Sequence, residues 1–206
     1  MASPDDITTQ NLTGKFYMNK THSSDTDEML MLQGVSWFTR KAIRFSTITL
    51  DIKQYRDDDG VEHIDIDQTA TGGIKGTTEN RTLDWTEREH EDHLFGKLAA
   101  KSRRLDIEQV EAGFLKDGFL PEAKKDGVIE SFVVNHENQW SAQQIWGFEE
   151  IDKLRYYVRH LRFKKFATPA AAPAAAPETG ESPPVTTAGS PEKVIEMKLV
   201  YDYAGV

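Results

Sequence analysis

The chain contains no cysteine, so neither a disulfide framework nor a thiolate-bound zinc can hold it together. Basic charge is also in short supply. Against 34 Asp and Glu stand 25 Lys and Arg, a formal net charge of −9, which argues against a surface built to neutralise nucleic-acid phosphates. No apolar run approaches the length of a membrane-crossing helix, and the opening MASPDDITTQ has neither the basic start nor the apolar core of a secretory signal. A cytoplasmic protein with no integral membrane association and no nucleic-acid partner is therefore expected. No glycine-rich phosphate loop follows a strand, no HExxH spacing occurs, and no nucleophile elbow is present. These gaps speak against nucleotide chemistry, a zinc hydrolase and covalent hydrolysis, and neither a cofactor nor a metal site is expected.

Proline is sparse except in one place. Six of the eight prolines lie between Pro169 and Pro191, in ATPAAAPAAAPETGESPPVTTAGSP (167–191), a composition that no packed structure fits. It reads as a disordered loop inserted between two strands, an insertion whose entropic cost grows only logarithmically with length. Residues 1–11 are expected to be a flexible terminus, and 12–206 a single domain.

What remains is strand patterning interrupted once by helix. Phe16 to Thr21 suits a strand. Asp25 with Glu28 three residues later has the spacing of a capping box, so a helix is expected near Thr26. Its apolar residues run from Met29 to Ile43, but Gly34 interrupts them, which predicts two short helices joined by a turn. From Ser46 on, Ile48, Leu50 and Ile52 alternate with polar residues. After the turn RDDDG, Ile64 and Ile66 alternate with His63, Asp65 and Asp67, completing a hairpin. Two more strands are expected over 77–87 and 89–98, then an irregular connection over 103–127 with a short helix near Ile107. Strands follow over 128–134, 139–150, 154–166 and 194–203. With about nine or ten strands, short turns and no βαβ alternation, the fold class is mainly β, a closed up-and-down antiparallel barrel with a helix-turn-helix lid.

Parity nominates the lining. The last strand places Ile195, Met197, Leu199, Tyr201 and Tyr203 on one face, and the strand before it places Tyr157, Arg159, Leu161 and Phe163 together. A guanidinium with several fixed donors among apolar neighbours suits an anionic or carbonyl group, and Arg159 beside Tyr157 is the better placed of the arginines. Tyr156, Val158, His160 and Arg162 fall on the opposite face, where solvent is expected. The charged run DWTEREHEDH (84–93) puts histidines between carboxylates, but it has no third-ligand spacing and reads as a wet hairpin.

The segment from Leu12 to Phe45, with Gly14, Lys15 and Phe16 followed by LQGVSWFTRKAI (32–43), resembles the start of the intracellular fatty-acid- and retinoid-binding proteins of the calycin superfamily. The resemblance implies a ligand cavity beneath a helical portal, and an Arg-x-Tyr pair in the last strand that fixes a ligand carboxylate. Tyr201 aligns with that tyrosine, whereas Leu199 stands where the arginine belongs. The expected ligand contacts are Tyr17, Met31, Trp37 and Phe38 around the portal, with Tyr157, Arg159, Met197, Leu199 and Tyr201 inside. The first functional reading is a carrier that binds a small hydrophobic ligand. Its alternatives are a cofactor-independent isomerase or cyclase acting on a hydrophobic intermediate in the same barrel, and a protein-interaction scaffold.

Overall fold

A computed structural model of the chain describes residues 1–72, 76–167 and 192–205. Except for Ala167, the proline- and alanine-rich segment lies outside the described residues. The strands are β1 (Gly14–Met18), β2 (Ile48–Arg56), β3 (Glu62–Ala70), β4 (Thr77–Thr82), β5 (Arg88–Asp92), β6 (Gly96–Leu105), β7 (Val128–Asn135), β8 (Trp140–Ile151), β9 (Leu154–Lys165) and β10 (Lys193–Gly205). Helices α1 (Asp27–Leu32) and α2 (Trp37–Phe45) follow β1, and α3 (Ala123–Asp126) precedes β7.

All ten strands form one antiparallel sheet in the order β4-β3-β2-β1-β10-β9-β8-β7-β6-β5. Because β1 pairs with both β2 and β10, the first and last strands are neighbours and the sheet curls into a barrel. Closure is incomplete, since β4 and β5 end the sheet without pairing to each other. The loop after β4 bridges one end of this gap. Leu83 N–H donates to the Glu62 carbonyl, Trp85 N–H donates to the Ser102 carbonyl, and Asp84 forms a bridge with Arg103.

Alternation fills the interior. Phe16, Leu50, Ile52, Ile64, Ile66, Trp146 and Tyr157 pack in one cluster, and Met29, Trp140, Leu161, Phe163 and Met197 pack in a second beneath the lid, with Leu199 against both. Each large side chain buried this way contributes about 1.5–3 kcal/mol. The N-terminal segment covers the end of the barrel away from the lid. Ile7 and Leu12 join the first cluster, and the Arg155 guanidinium donates to the carbonyls of Pro4 and Ile7.

Three local readings need correction. The capping box does not form: Thr26 is the N-cap of α1 without a side-chain bond, and the Asp25 carboxylate accepts from Asp27 N–H. The strand expected over 89–98 is a hairpin, because Asp92 accepts from the N–H groups of Leu94 and Phe95 and turns the chain into β6, which runs on to Leu105. The connection that follows packs as a second layer on the outer face of β7–β9. Tyr156, Val158 and His160, expected to be solvated, are buried beneath it with Phe119.

Candidate functional site

The lid is held over the barrel mouth by polar anchors. The Arg40 guanidinium donates to Asp27 Oδ1 (3.3 Å) and to the Val35 carbonyl (2.9 Å), tying α2 to α1 and the turn between them. Lys20 Nζ donates to the carbonyls of Arg44 (2.6 Å) and Ser46, where the C-terminal end of the helix presents unpaired acceptors and negative dipole charge. Under the helices lies a cavity of about 270 Å³, with Met18, Leu30, Ile43 and Ile48 as its apolar wall and Lys20, Asp25 and Arg44 among its polar groups. Met18, part of that wall, is the cross-strand partner of Tyr201.

Below that wall, Arg159 projects inward from β9 and is 3% exposed. Its Nε donates to Tyr157 Oη at 2.9 Å, its Nη1 lies 3.8 Å from Glu79 Oε2 on β4, and its plane sits 4.0 Å from the Trp146 ring. Among the described residues its Nη2 has no hydrogen-bond partner. Glu79 is held more closely by Arg81, whose Nη2 donates to the same oxygen at 2.9 Å. Burial works to raise the Glu79 pKa, but the two guanidiniums outweigh it and the carboxyl lies below its ordinary range, hence ionised. Two guanidiniums thus share one carboxylate, and one positive charge is left in excess. Burial pushes the Tyr157 and Tyr201 phenols upward, so both are neutral at physiological pH. The chemistry on offer is a fixed cationic donor flanked by phenols and backed by an indole face, suited to an oxyanion or a polarised carbonyl oxygen.

Inward-facing Gln144, Leu98, Ala100 and Leu199 keep part of their surface accessible, so space remains on the inner side of the wall beside them. On the gap side, Arg88 and His90 pair with Ala100 and Leu98 and share their inward face. Among the described residues no cluster of His, Cys, Asp and Glu is arranged to hold a metal ion, and no helix is long and apolar enough to cross a membrane.

Of the nine expected contacts, Tyr157, Arg159, Met197, Leu199 and Tyr201 come together inside the barrel. Arg159 is the direct cross-strand partner of Leu199, and so lies on the strand next to the position where the resemblance implied an arginine. Tyr17 is a correction. It follows the fully buried Phe16 and by alternation faces outward, 44% exposed. Met31, Trp37 and Phe38 lie on the outside of the lid at 49%, 55% and 79% exposure, because the side of α2 turned to the cavity is that of Arg40, Ile43 and Arg44. Sequence reasoning missed Glu79 and Arg81. In TTENRT both faces are polar, and only the register with Ile64 and Ile66, which pair with Arg81 and Glu79, shows which face turns inward.

No family model matches the sequence. The chain is 28% identical over 208 residues to the probable pericyclase scpY of Mollisia scopiformis, covering 99% of this chain and 95% of that protein. It is also 28% identical over 169 residues to the pericyclase pydY of Acremonium sp., covering 80% of this chain and 90% of its relative. Among solved structures, the fatty acid binding protein of Schistosoma mansoni in complex with arachidonic acid superimposes with a TM-score of 0.51 at 10% identity, over 94% of this chain and 96% of that one. That likeness shows the fold: the chain shares the antiparallel barrel architecture of that fatty acid binding protein.

Proposed function

We propose that the protein is a cofactor-independent pericyclase, which closes or rearranges the rings of a largely apolar intermediate inside the barrel. The observation that supports this most directly is Arg159, a buried guanidinium with one nitrogen unpartnered among the described residues, set between two neutral phenols and an indole face. In a pericyclic step bonds reorganise together and no atom is gained or lost, so no redox group or metal is required. Two contributions then suffice. The apolar wall holds a flexible polyene in the folded conformation from which it reacts, a gain that can reach about 7–11 kcal/mol when the geometry is near-attack. Arg159, with Tyr157 beside it, hydrogen-bonds a carbonyl conjugated to the reacting π-system and draws electron density from it, a stabilisation that grows as the bonds form.

Ligand binding in the lumen is common to this reading and to a carrier. The resemblance over 99% and 80% of the chain to two proteins described as pericyclases favours transformation of what is bound. The distinguishing experiment is mass spectrometry of a metabolite extract from the native host, incubated with purified protein and no added cofactor. One component should be replaced by an isomer of identical mass and different retention time, and R159M should abolish the conversion. A component that is captured but returned unchanged would leave a carrier and overturn the enzyme reading.

A further inference from the structure

The polar groups of the lumen are not all at Arg159. Ser102 on β6 pairs in register with Ser131 on β7, and Ser131 pairs in register with Gln144 on β8. The three side chains therefore stand abreast on consecutive strands. All face inward: Ser131 lies between Ile129 and Val133 of the two interior clusters, Gln144 lies between Ala142 and Trp146, and Ser102 follows Ala100. Ser102 is 2% exposed and Ser131 0%, yet neither hydroxyl has a hydrogen-bond partner among the described residues. Gln144 uses its Oε1 to accept from Trp146 Nε1 at 3.0 Å, which leaves its amide donors for the lumen. Buried hydroxyls are almost always satisfied, and a pair of unsatisfied ones on adjacent strands calls for a partner that the described residues do not provide.

We infer that Ser102, Ser131 and Gln144 form a second, uncharged subsite, which receives a hydroxyl, ether or amide group of the same ligand whose carbonyl or anionic end meets Arg159. The inference rests on the proposed use of the lumen as the substrate site. Register sets the spacing: Arg159 pairs with Trp146, Trp146 with Ile129, and Ser131 lies two residues further along β7. Strand separation and rise place the two subsites about 8–12 Å apart along the wall. The substrate class is thus an apolar chain or polyene with two oxygenated ends of different character, one strongly polarised and one neutral. An all-hydrocarbon tail would leave the serine hydroxyls stranded, and a second anion would find no cation there.

The test compares decanoic acid with ω-hydroxydecanoic acid, whose extended chain spans roughly that distance, by calorimetric titration of wild type, S102A/S131A and R159M. Transferring a hydroxyl to a wall with no partner weakens binding by about tenfold or more. Wild type should nevertheless bind the hydroxy acid at least as tightly as decanoic acid. S102A/S131A should lose about tenfold for the hydroxy acid while holding decanoic acid within about twofold. Its thermal midpoint should be unchanged, because the hydroxyls have no partner among the described residues to lose; a marked fall in midpoint with an unchanged ratio of affinities would assign them a structural role and overturn the inference. The same ratio in wild type and variant overturns the second subsite alone, provided that R159M weakens both acids. Failure of either acid to bind wild type overturns the lumen reading and this inference with it.

Discussion

A guanidinium withdrawn from water costs several kcal/mol unless its donors are met, and Arg159 meets them only in part: one bond to a phenol, one long approach to a carboxylate and one nitrogen without a partner among the described residues. Its neighbour Glu79 is in the opposite position, a single anion serving two cations. This asymmetry predicts different outcomes for two substitutions. R159M should leave the urea midpoint unchanged or raised, since Glu79 keeps Arg81 and an incompletely paired charge is gone, while turnover is lost. E79Q should destabilise by about 3 kcal/mol, because two guanidiniums then face each other without an anion. Urea denaturation monitored by fluorescence distinguishes them, and equal losses would show that Arg159 is held for stability. Arg159, Tyr157 and Tyr201 were legible in the sequence because each stands in a strand whose apolar residues fix its parity. Glu79 was not, because nothing in TTENRT marks a face.

Elements acquire their positions from neighbours that sequence spacing does not display. The outer face of β9 reads as a mixed polar surface, yet it is roofed by the segment between β6 and β7, where Phe119 stacks on His160 with ring centroids 4.5 Å apart. His160 Nε2 meets Glu149 Oε1 at 2.6 Å, and Lys198 Nζ donates to the other oxygen of that carboxylate, so one network ties β8, β9 and β10 together behind Arg159. The roof fits because β8 offers no side chain at Gly147. A Cβ there would lie 2.7 Å from the Phe119 ring. G147A should displace Phe119 and cost about 1–3 kcal/mol, with proteolysis or hydrogen exchange rising first between residues 106 and 127. Uniform loosening of the barrel, or none, would contradict this account of the roof. The lid was more readily foreseen. Gly34, which the sequence marked as a break, adopts φ of +92° in the turn between α1 and α2, a conformation that a residue with a Cβ enters only under strain.

At the scale of the whole molecule, strand number, helix placement and the adjacency of first and last strands follow from alternation and turn spacing, while the open seam between β4 and β5 does not. Both seam strands are short, and their unpaired edges flank the inward-facing Glu79 and Arg81 of β4 and the exposed Arg88 and His90 of β5. The barrel is thus an apolar shell closed partly by ion pairs, which makes its stability depend on pH in a definite direction. Glu62, Glu79 and Glu149 are each pushed upward by burial, and each is pulled further down by its partners, Arg104 and Arg56, Arg81 and Arg159, and His160 and Lys198 respectively. In the folded state all three therefore titrate below the ordinary glutamate value of 4.5. As pH falls below that value the unfolded chain takes up protons that the folded chain still refuses, so the stabilisation present at neutral pH is lost progressively through the lowered pKa values. The urea midpoint should hold between about pH 7 and pH 6 and decline steeply by about pH 4, well before the carboxylates of the folded protein are fully protonated. The decline should be shallower in a variant carrying both E62Q and E149Q, even though that variant starts from a lower midpoint at neutral pH. A flat profile in wild type would mean that these ion pairs form equally well in the unfolded chain, and the seam and the outer network would then contribute shape without contributing stability.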